Sequence, residues 1–512
     1  DNFGKVNREK IFSFNWENKN YYGYEGDSLA SALLANNIRI VGRSFKYHRP
    51  RGIMSCGVEE SGGLVTIGNG DRKDPNVRAT SQELYQGLVA SGQNAFPNVN
   101  FDFGAINNYL SRFFAAGFYY KTFMGIPPFE WGSGTSTWMF FEKFIRKAAG
   151  MGKNSRLADP DFYEHANDFC DLLIVGSGPA GIAAAKEAAE KKLDVILVEQ
   201  DNILGGDQLS EKDFKIDSVD TELKSLGVRI MKRTTAFGLY DNCVLGLIER
   251  VTDHMPSGFN ELPRQIFWTI RAKHVIIGSG ALERHIAFNN NDVPGSMTVN
   301  ASKHYLNRYG VLTGKEIVIA TNNDSVYPTA ETLSNAGAKV TILDAREKIE
   351  FKLNNLNFEV KSGTVPYSIN GLRKIESLDI ANSSNNSIKK AETIPCDQVL
   401  MSGGWSPIVH LLSHRSVRPI WDSENLCFLP GDTKENISMI GSARGIWNKE
   451  DCIKSGKAGA LEAANRLGIS KTNYFFPKNG GWKNAIEPLY EVKLNKPRSK
   501  SFIDFQHDVT CD

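Results

Sequence analysis

The chain has 512 residues, 41% of them apolar and 23% charged. It is too long for one ordinary core and too apolar for wholesale disorder, so two to four domains are expected. A formal net charge of +2 gives no general reason to expect nucleic acid or an anionic membrane as partner, and no run of eighteen apolar residues predicts a spanning helix.

The opening DNFGKVNREK lacks the apolar core of a signal peptide. A start without Met admits either processing or trimming. Seven scattered cysteines with no CxxC read as reduced thiols, and a cytoplasmic location is expected. Residues 10–15 and 19–24 predict a hairpin, with WENK turning between them. Asp27 or Ser28 is placed to cap a helix over LASALLANN, which Asn36–Asn37 ends. Arg39, Arg43, Lys46, His48, Arg49 and Arg51 then fall within thirteen residues, interleaved with Phe45 and Tyr47. That cluster admits three readings: a solvated or domain-facing loop, a contact to a phosphate-bearing cofactor or partner subunit, or a nucleic-acid site. Gly57, Gly62, Gly63, Gly68 and Gly70 predict tight turns. Residues 93–165 hold an aromatic stretch leading into a helix from about Thr137, either an interface or a connecting arm. Residues 153–168 read as a linker.

Residues 171–175, DLLIV, form an apolar strand that runs directly into Gly176-Ser177-Gly178-Pro179-Ala180-Gly181. A helical IAAAKEAAEKK follows, and then a strand, DVILVE, ending at Glu199. This is the complete context of a dinucleotide motif. Gly176 permits the tight turn, Gly178 admits the pyrophosphate, and Gly181 lets the helix pack on the sheet. The first turn of the helix, with Pro179 and Ala180, presents its amides to the phosphates. Glu199 is placed to accept from both ribose hydroxyls, and its neighbour Gln200, not Arg, disfavours a 2′-phosphate. The motif alone leaves FAD and NAD open. Gly205–Gly206 and Asp207 pass close to the nucleotide or form a plain turn. The strand and turn of HVIIGSGALERH, with Gly280, close the nucleotide half of a two-dinucleotide fold.

A second strand–helix–strand unit spans 316–346, but its loop, TNNDSVY, lacks the glycines that close pyrophosphate approach needs. It is expected to keep the Rossmann-like shape without a clear site, although Asp344 ends its second strand. DQVLMSGG is a further strand and turn. NISMIGSARG and the helix near 449–464 are expected to return to the first domain, with backbone facing the flavin or nicotinamide end. No HExxH, GxSxG or GxxxxGK[ST] occurs, and His410 with His414 alone makes a weak metal pair. No catalytic residue is assigned.

Several long segments carry a family likeness: GYEGDSLASALLANNIRIVGRSFKYHRPRGIMSCGVEE, STWMFFEKFIRKAAGMG, VGSGPAG with Glu199, GSGALERHIAFNNNDVPGSM, MSGGWSP and FIDFQHDVT. Together they resemble the alpha (large) subunit of heterotetrameric sarcosine oxidase. The resemblance implies an α/β, glutathione-reductase-type two-dinucleotide-binding fold. It is preceded by a ferredoxin-like β-grasp domain lacking its iron–sulfur cluster, with which the lone Cys56 agrees. The implied domains are 1–92 (ferredoxin-like), 93–168 (arm and linker), 169–312 (first dinucleotide domain), 313–400 (second Rossmann-like domain), 401–490 (return) and 491–512 (junction to a C-terminal region).

The resemblance also implies NAD at the first site, held by Gly176, Gly178, Gly181, Glu199 and Asp207, and further by Ala236, Gly441, Ser442 and Ile446. It implies beta, gamma and delta partner subunits. Sarcosine is oxidised at FAD in the beta subunit, and electrons pass through covalent FMN near the alpha–beta interface to oxygen, giving hydrogen peroxide. Tetrahydrofolate belongs to the C-terminal region. The corresponding subunit of an N-methylglutamate or related dehydrogenase, and a self-contained FAD/NAD reductase, are the alternatives.

Overall fold

A computed structural model of the chain describes residues 3–110, 141–143, 152–256, 261–349, 351, 357–383, 390–478, 486–493 and 500–511. The helix expected from about Thr137 lies, apart from 141–143, outside the described residues.

The expected hairpin is present as β1 (Asn7–Trp16) and β2 (Lys19–Glu25). Glu17 and Asn18 both take positive φ, as a two-residue turn matched to strand twist requires. Ser28 caps α1 (Leu29–Ala35) through a capping box with Ser31, and the helix buries its apolar side chains. β3 (Leu64–Ile67), β4 (Asp74–Arg78) and β5 (Val89–Gly92) complete a sheet of order β2-β1-β5-β3-β4, in which β1 and β5 run parallel.

The next sheet is built from β6 (Tyr163–Val175), β7 (Val195–Val198), β8 (Arg229–Met231), β9 (Thr234–Tyr240), β10 (Val244–Arg250) and β11 (Gln265–Ile277), in the order β8-β7-β6-β11-β10-β9. Strands β8, β7, β6 and β11 run parallel. The segments LLI, VILV and VII are buried within it, as a sheet covered on both faces demands. α2 (Pro179–Glu190) crosses from β6 to β7, and α3 (Ile216–Ser225) leads to β8. β6 starts at Tyr163, so part of the expected 153–168 linker is strand. Its backbone pairs with β11 from Gln265 onward, although its side chains there are mostly exposed.

β12 (Ser296–Thr298) already belongs to the third sheet, because it pairs in parallel with a strand a hundred residues later. The expected boundary at 312/313 therefore falls too late. α4 (Val299–Tyr309), β13 (Glu316–Thr321), α5 (Tyr327–Asn335), β14 (Lys339–Asp344) and β15 (Glu359–Ser362) follow. An antiparallel layer of β16 (Thr364–Asn370), β17 (Ser377–Asn382) and β18 (Lys390–Pro395) precedes β19 (Gln398–Ser402). The main sheet has the order β12-β19-β13-β14-β15. One apolar cluster joins Phe14, Leu29 and Leu33 of the N-terminal unit to Tyr305, Ile319 and Tyr327 of this one. The two units thus share a core.

The chain then comes back to the second sheet. β20 (Ile437–Met439) adds to β11 in parallel, and α6 (Lys449–Arg466) lies against α2. Phe502 and Phe505 pack with Tyr47 and Met54.

The basic loop is resolved in favour of its domain-facing reading. Arg49 and Arg51 are 4% and 2% exposed, and both pair with buried Asp292; Arg51 also pairs with Asp508. These guanidiniums are consumed inside the chain and present no phosphate-binding surface. No described helix is long and apolar enough to cross a membrane.

Candidate dinucleotide site

Gly176 leaves β6 with φ +95°, a conformation that a side chain would strain, and a Cβ there would lie 2.4 Å from the Gly278 carbonyl oxygen. Gly178 caps α2, with Pro179 in its first turn, and no atom comes within 4 Å of where its Cβ would be. The space before the helix N-terminus is therefore open to a pyrophosphate. Gly181 faces inward: its Cβ would stand 1.9 Å from the Gly176 carbonyl oxygen, so only glycine lets the turn close on the helix.

Glu199 follows β7 directly. Its Oε2 accepts from the Ser177 amide at 2.9 Å and the Ser177 hydroxyl at 2.5 Å, and its Oε1 accepts from the Asp201 amide at 2.9 Å. Burial raises its pKa, and the Ser177 and Asp201 donors pull it back. The carboxylate is thus held by the phosphate turn itself at the cavity wall. The Gly205 amide bonds the Ser177 carbonyl at 3.1 Å, and Gly206 lies against Gly178, so the glycine pair does seat beside the turn. Asp207 meets Lys303 Nζ at 3.3 Å and His304 Nε2 at 3.0 Å, both on α4. Desolvation within the cleft opposes its ionisation, but Lys303 and the hydrogen bond with His304 hold its pKa below the ordinary carboxylate range.

These groups line one continuous cavity of about 1940 Å³. Its wall contains Gly176, Gly178, Pro179, Ala180, Glu199 and Gln200, and it continues past Gly206, Asp207, Ala236, Gly280, Gly441 and Ser442. Two expected site residues are not in the wall. Gly181 acts from beneath the turn. Ile446 is corrected: it is 1% exposed and packs in the core under α2 and α6. Sequence reasoning missed Glu283, Lys303, His304 and Trp405, and also Ser81, Gln82 and Glu83 from the N-terminal unit. Glu283 and Trp405 lie in segments of the family likeness that assign them no role, and only packing brings the others here.

The second Rossmann-like unit fills its own loop with side chains. Asp344, at the position of a ribose-binding acid, is fully buried and accepts from Tyr327 Oη at 2.8 Å and Arg346 Nη2 at 2.7 Å. Asn322 and Asn323 are buried and bond the carbonyls of Glu487 and Ser402. The ribose acid and the phosphate loop are both engaged from within.

The N-terminal unit does not fit an iron–sulfur cluster, which needs four ligands. Cys56 is its only cysteine, and burial pushes that thiol up to about 12. The surrounding loop is organised by Glu60 instead. Its carboxylate accepts from the amides of Met54, Ser55, Gly62 and Gly63 at 2.6–2.9 Å. Among the described residues there is no group of three or more potential metal ligands.

Two family models match the chain: a 2Fe-2S iron-sulfur cluster binding domain over residues 9–95, and pyridine nucleotide-disulphide oxidoreductase over 170–421. L-proline dehydrogenase from P. horikoshii shares the fold. That match covers 91% of this chain and 76% of that one, with a TM-score of 0.58 at 17% identity. The class is therefore an oxidoreductase-type two-dinucleotide fold behind a ferredoxin-like domain.

Sarcosine oxidase subunit alpha of Rhizobium meliloti (strain 1021) is 40% identical over 99% of this chain and 51% of its own length. The subunit of the same name from Corynebacterium sp. (strain U-96) is 30% identical over 91% of this chain and 45% of its own. The chain is a sarcosine oxidase alpha-subunit-like protein. It spans about half the length of these curated relatives.

Proposed function

We propose that this chain is the NAD-holding alpha-type subunit of a multi-subunit complex that oxidatively demethylates sarcosine. The observation that carries the dinucleotide reading is the Gly176–Gly181 turn and its bonded Glu199, opening on a cavity of about 1940 Å³. In this reading the α2 N-terminus and Gly178 take the pyrophosphate, Glu199 takes the adenosine ribose, and Ala236 lies toward the adenine. Gly280, Gly441 and Ser442 line the nicotinamide end. NAD, when bound, supplies a hydride-accepting ring. The chain's own residues bind, orient and enclose it.

The similarity to sarcosine oxidase alpha subunits supports the rest of the reading. Amine oxidation takes place at FAD in a beta subunit, with covalent FMN near the alpha–beta interface and gamma and delta subunits completing the assembly. Sarcosine gives glycine with hydrogen peroxide, together with formaldehyde or, with tetrahydrofolate, 5,10-methylenetetrahydrofolate. An N-methylamino-acid dehydrogenase would differ in producing no peroxide from oxygen.

Denaturing release of cofactors from the natively purified complex, followed by mass spectrometry of nucleotides and chains, tests this. NAD with FAD, protein-bound FMN and smaller partner chains is expected. FAD alone, with this chain as sole polypeptide, would instead establish a self-contained flavin reductase, the reading that the pyridine nucleotide-disulphide oxidoreductase match favours. The sequence has no CxxC redox pair, so a disulfide-reductase mechanism lacks its thiols. At the residue level, Glu199→Ala should lower the NAD retained at least tenfold while leaving the far-ultraviolet spectrum unchanged. Full retention would remove Glu199 from the ribose.

A further inference from the structure

The ferredoxin-like domain does not fit its cluster, yet it borders the dinucleotide cavity. Ser81, Gln82 and Glu83 line the same space as Glu199, Gln200 and Ala236. The segment is held rigidly on its own domain, with the Leu29 amide bonding the Gln82 carbonyl at 2.8 Å and the Leu84 amide bonding the Asp27 carbonyl at 2.9 Å.

Across the domain boundary the contacts are polar and specific. Arg233 donates to both carboxylate oxygens of Glu83, from Nε at 2.6 Å and Nη2 at 2.8 Å, and Asn202 Nδ2 adds a third bond at 2.7 Å. Arg250 bridges the two sides, donating to the Ser81 carbonyl at 2.9 Å and the Gln200 carbonyl at 2.8 Å. Gln82 Nε2 reaches the Asp253 carbonyl at 3.1 Å. Arg233 is itself tied to the ribose corner: its amide bonds the Asp201 carbonyl at 2.9 Å, and the next amide, of Thr234, bonds the Glu199 carbonyl at 2.8 Å. The segment is therefore registered on the backbone that carries Glu199.

We propose that the ferredoxin-like domain supplies the outer wall of the adenosine end of the dinucleotide site, with Glu83 as the positioning residue that latches this wall onto Arg233. The bidentate geometry fixes orientation as well as distance. A dinucleotide so enclosed leaves along its adenosine end only when the two domains part. NAD is then a resident of the chain rather than a co-substrate in exchange with solution. The inference rests on the dinucleotide reading above and adds its second wall.

The test uses the full chain as wild type, Glu83→Arg, Arg233→Glu and the double exchange. NAD release is followed by dilution into excess nucleotide. Binding of AMP, ADP-ribose and nicotinamide mononucleotide is measured by calorimetry after NAD is removed. Each single variant is expected to release NAD about tenfold faster and to weaken AMP and ADP-ribose about tenfold, the loss of one strong charge-assisted contact. Nicotinamide mononucleotide binding stays the same, and the double exchange restores the adenosine probes. Unchanged release and AMP affinity in folded single variants would overturn the wall. So would equal weakening of all three probes, which marks general destabilisation. A wild type that binds neither NAD nor AMP would overturn the site and the wall together. FAD found in place of NAD would overturn only the identity of the dinucleotide, because both carry the same adenosine half and the AMP comparison still decides the wall.

Discussion

Gly181 and Gly176 show how the absence of a side chain creates a site, since a Cβ on the first would overlap the carbonyl of the second. That much was legible in the spacing of the motif. His274 was not legible. It lies on β11 with its Nε2 2.9 Å from Ser438 Oγ, and that hydroxyl donates to Glu462 Oε2 at 2.7 Å. With the serine proton given to the glutamate, the histidine donates to the serine from Nε2. Burial, with Arg466 adding to it, pushes its pKa down to about 3. A depressed histidine stabilises the fold fully above the unfolded value, about 6.5. That stability is lost as pH falls from there toward 3, at no more than about 1.4 kcal/mol per pH unit. Denaturant unfolding across pH 4–7 should therefore show a steeper acid loss for the wild type than for His274→Gln. Parallel slopes would mean that another group sets the acid limit.

Among the elements, the β6–turn–α2–β7 unit could be read completely, because strand, glycines, helix and terminal acid are contiguous. β12 could not be read: three residues carry no periodicity, and its partner β19 lies far along the chain. The start of β6 reads as linker because its exposed, polar residues look like one, although their backbone pairs along one edge with β11. The α2–α6 crossing is a close helix contact, since a Cβ at Gly456 would lie 2.0 Å from the Ala180 carbonyl oxygen. Gly456→Ala must push the helices apart, at a cost of about 1–3 kcal/mol for overpacking. It should shift the phosphate turn that Ala180 belongs to. Thermal melting and retained NAD should fall together. A variant with normal NAD content and melting temperature would show that the crossing relaxes without reaching the site.

Over the whole molecule, a buried charge network adds to the apolar contacts that join the N-terminal unit to the second Rossmann-like unit and the 500–511 segment. Asp292 receives Arg49 through Nε and Nη2, each at 2.6 Å, and Arg51 as well, while Asp508 takes the other arm of Arg51 and the amides of Lys46 and Tyr47. Removing one carboxylate leaves buried guanidiniums uncompensated. Asp292→Ala should cost roughly 3–5 kcal/mol. Calorimetry should show an early transition separated from the main one, and proteolysis should open the 500–511 segment first. A single, unshifted transition would show that the shared apolar core alone holds the units together.

The residues by themselves determined the first dinucleotide motif, the missing glycines of the second, the single cysteine of the ferredoxin-like unit and the likeness to one family. Each of these is a local pattern, or a comparison along the chain. Tertiary structure decided that the basic loop is an internal charge network, that Asp344 is taken by Arg346 and Tyr327, and that Ile446 lies beneath the site. It also brought Ser81, Gln82 and Glu83 of the N-terminal unit into the wall of the cavity that holds Glu199. The reason is that a charge or hydrogen-bonding group acquires its role from its partner. Here the partners are up to several hundred residues away, where no local spacing connects them.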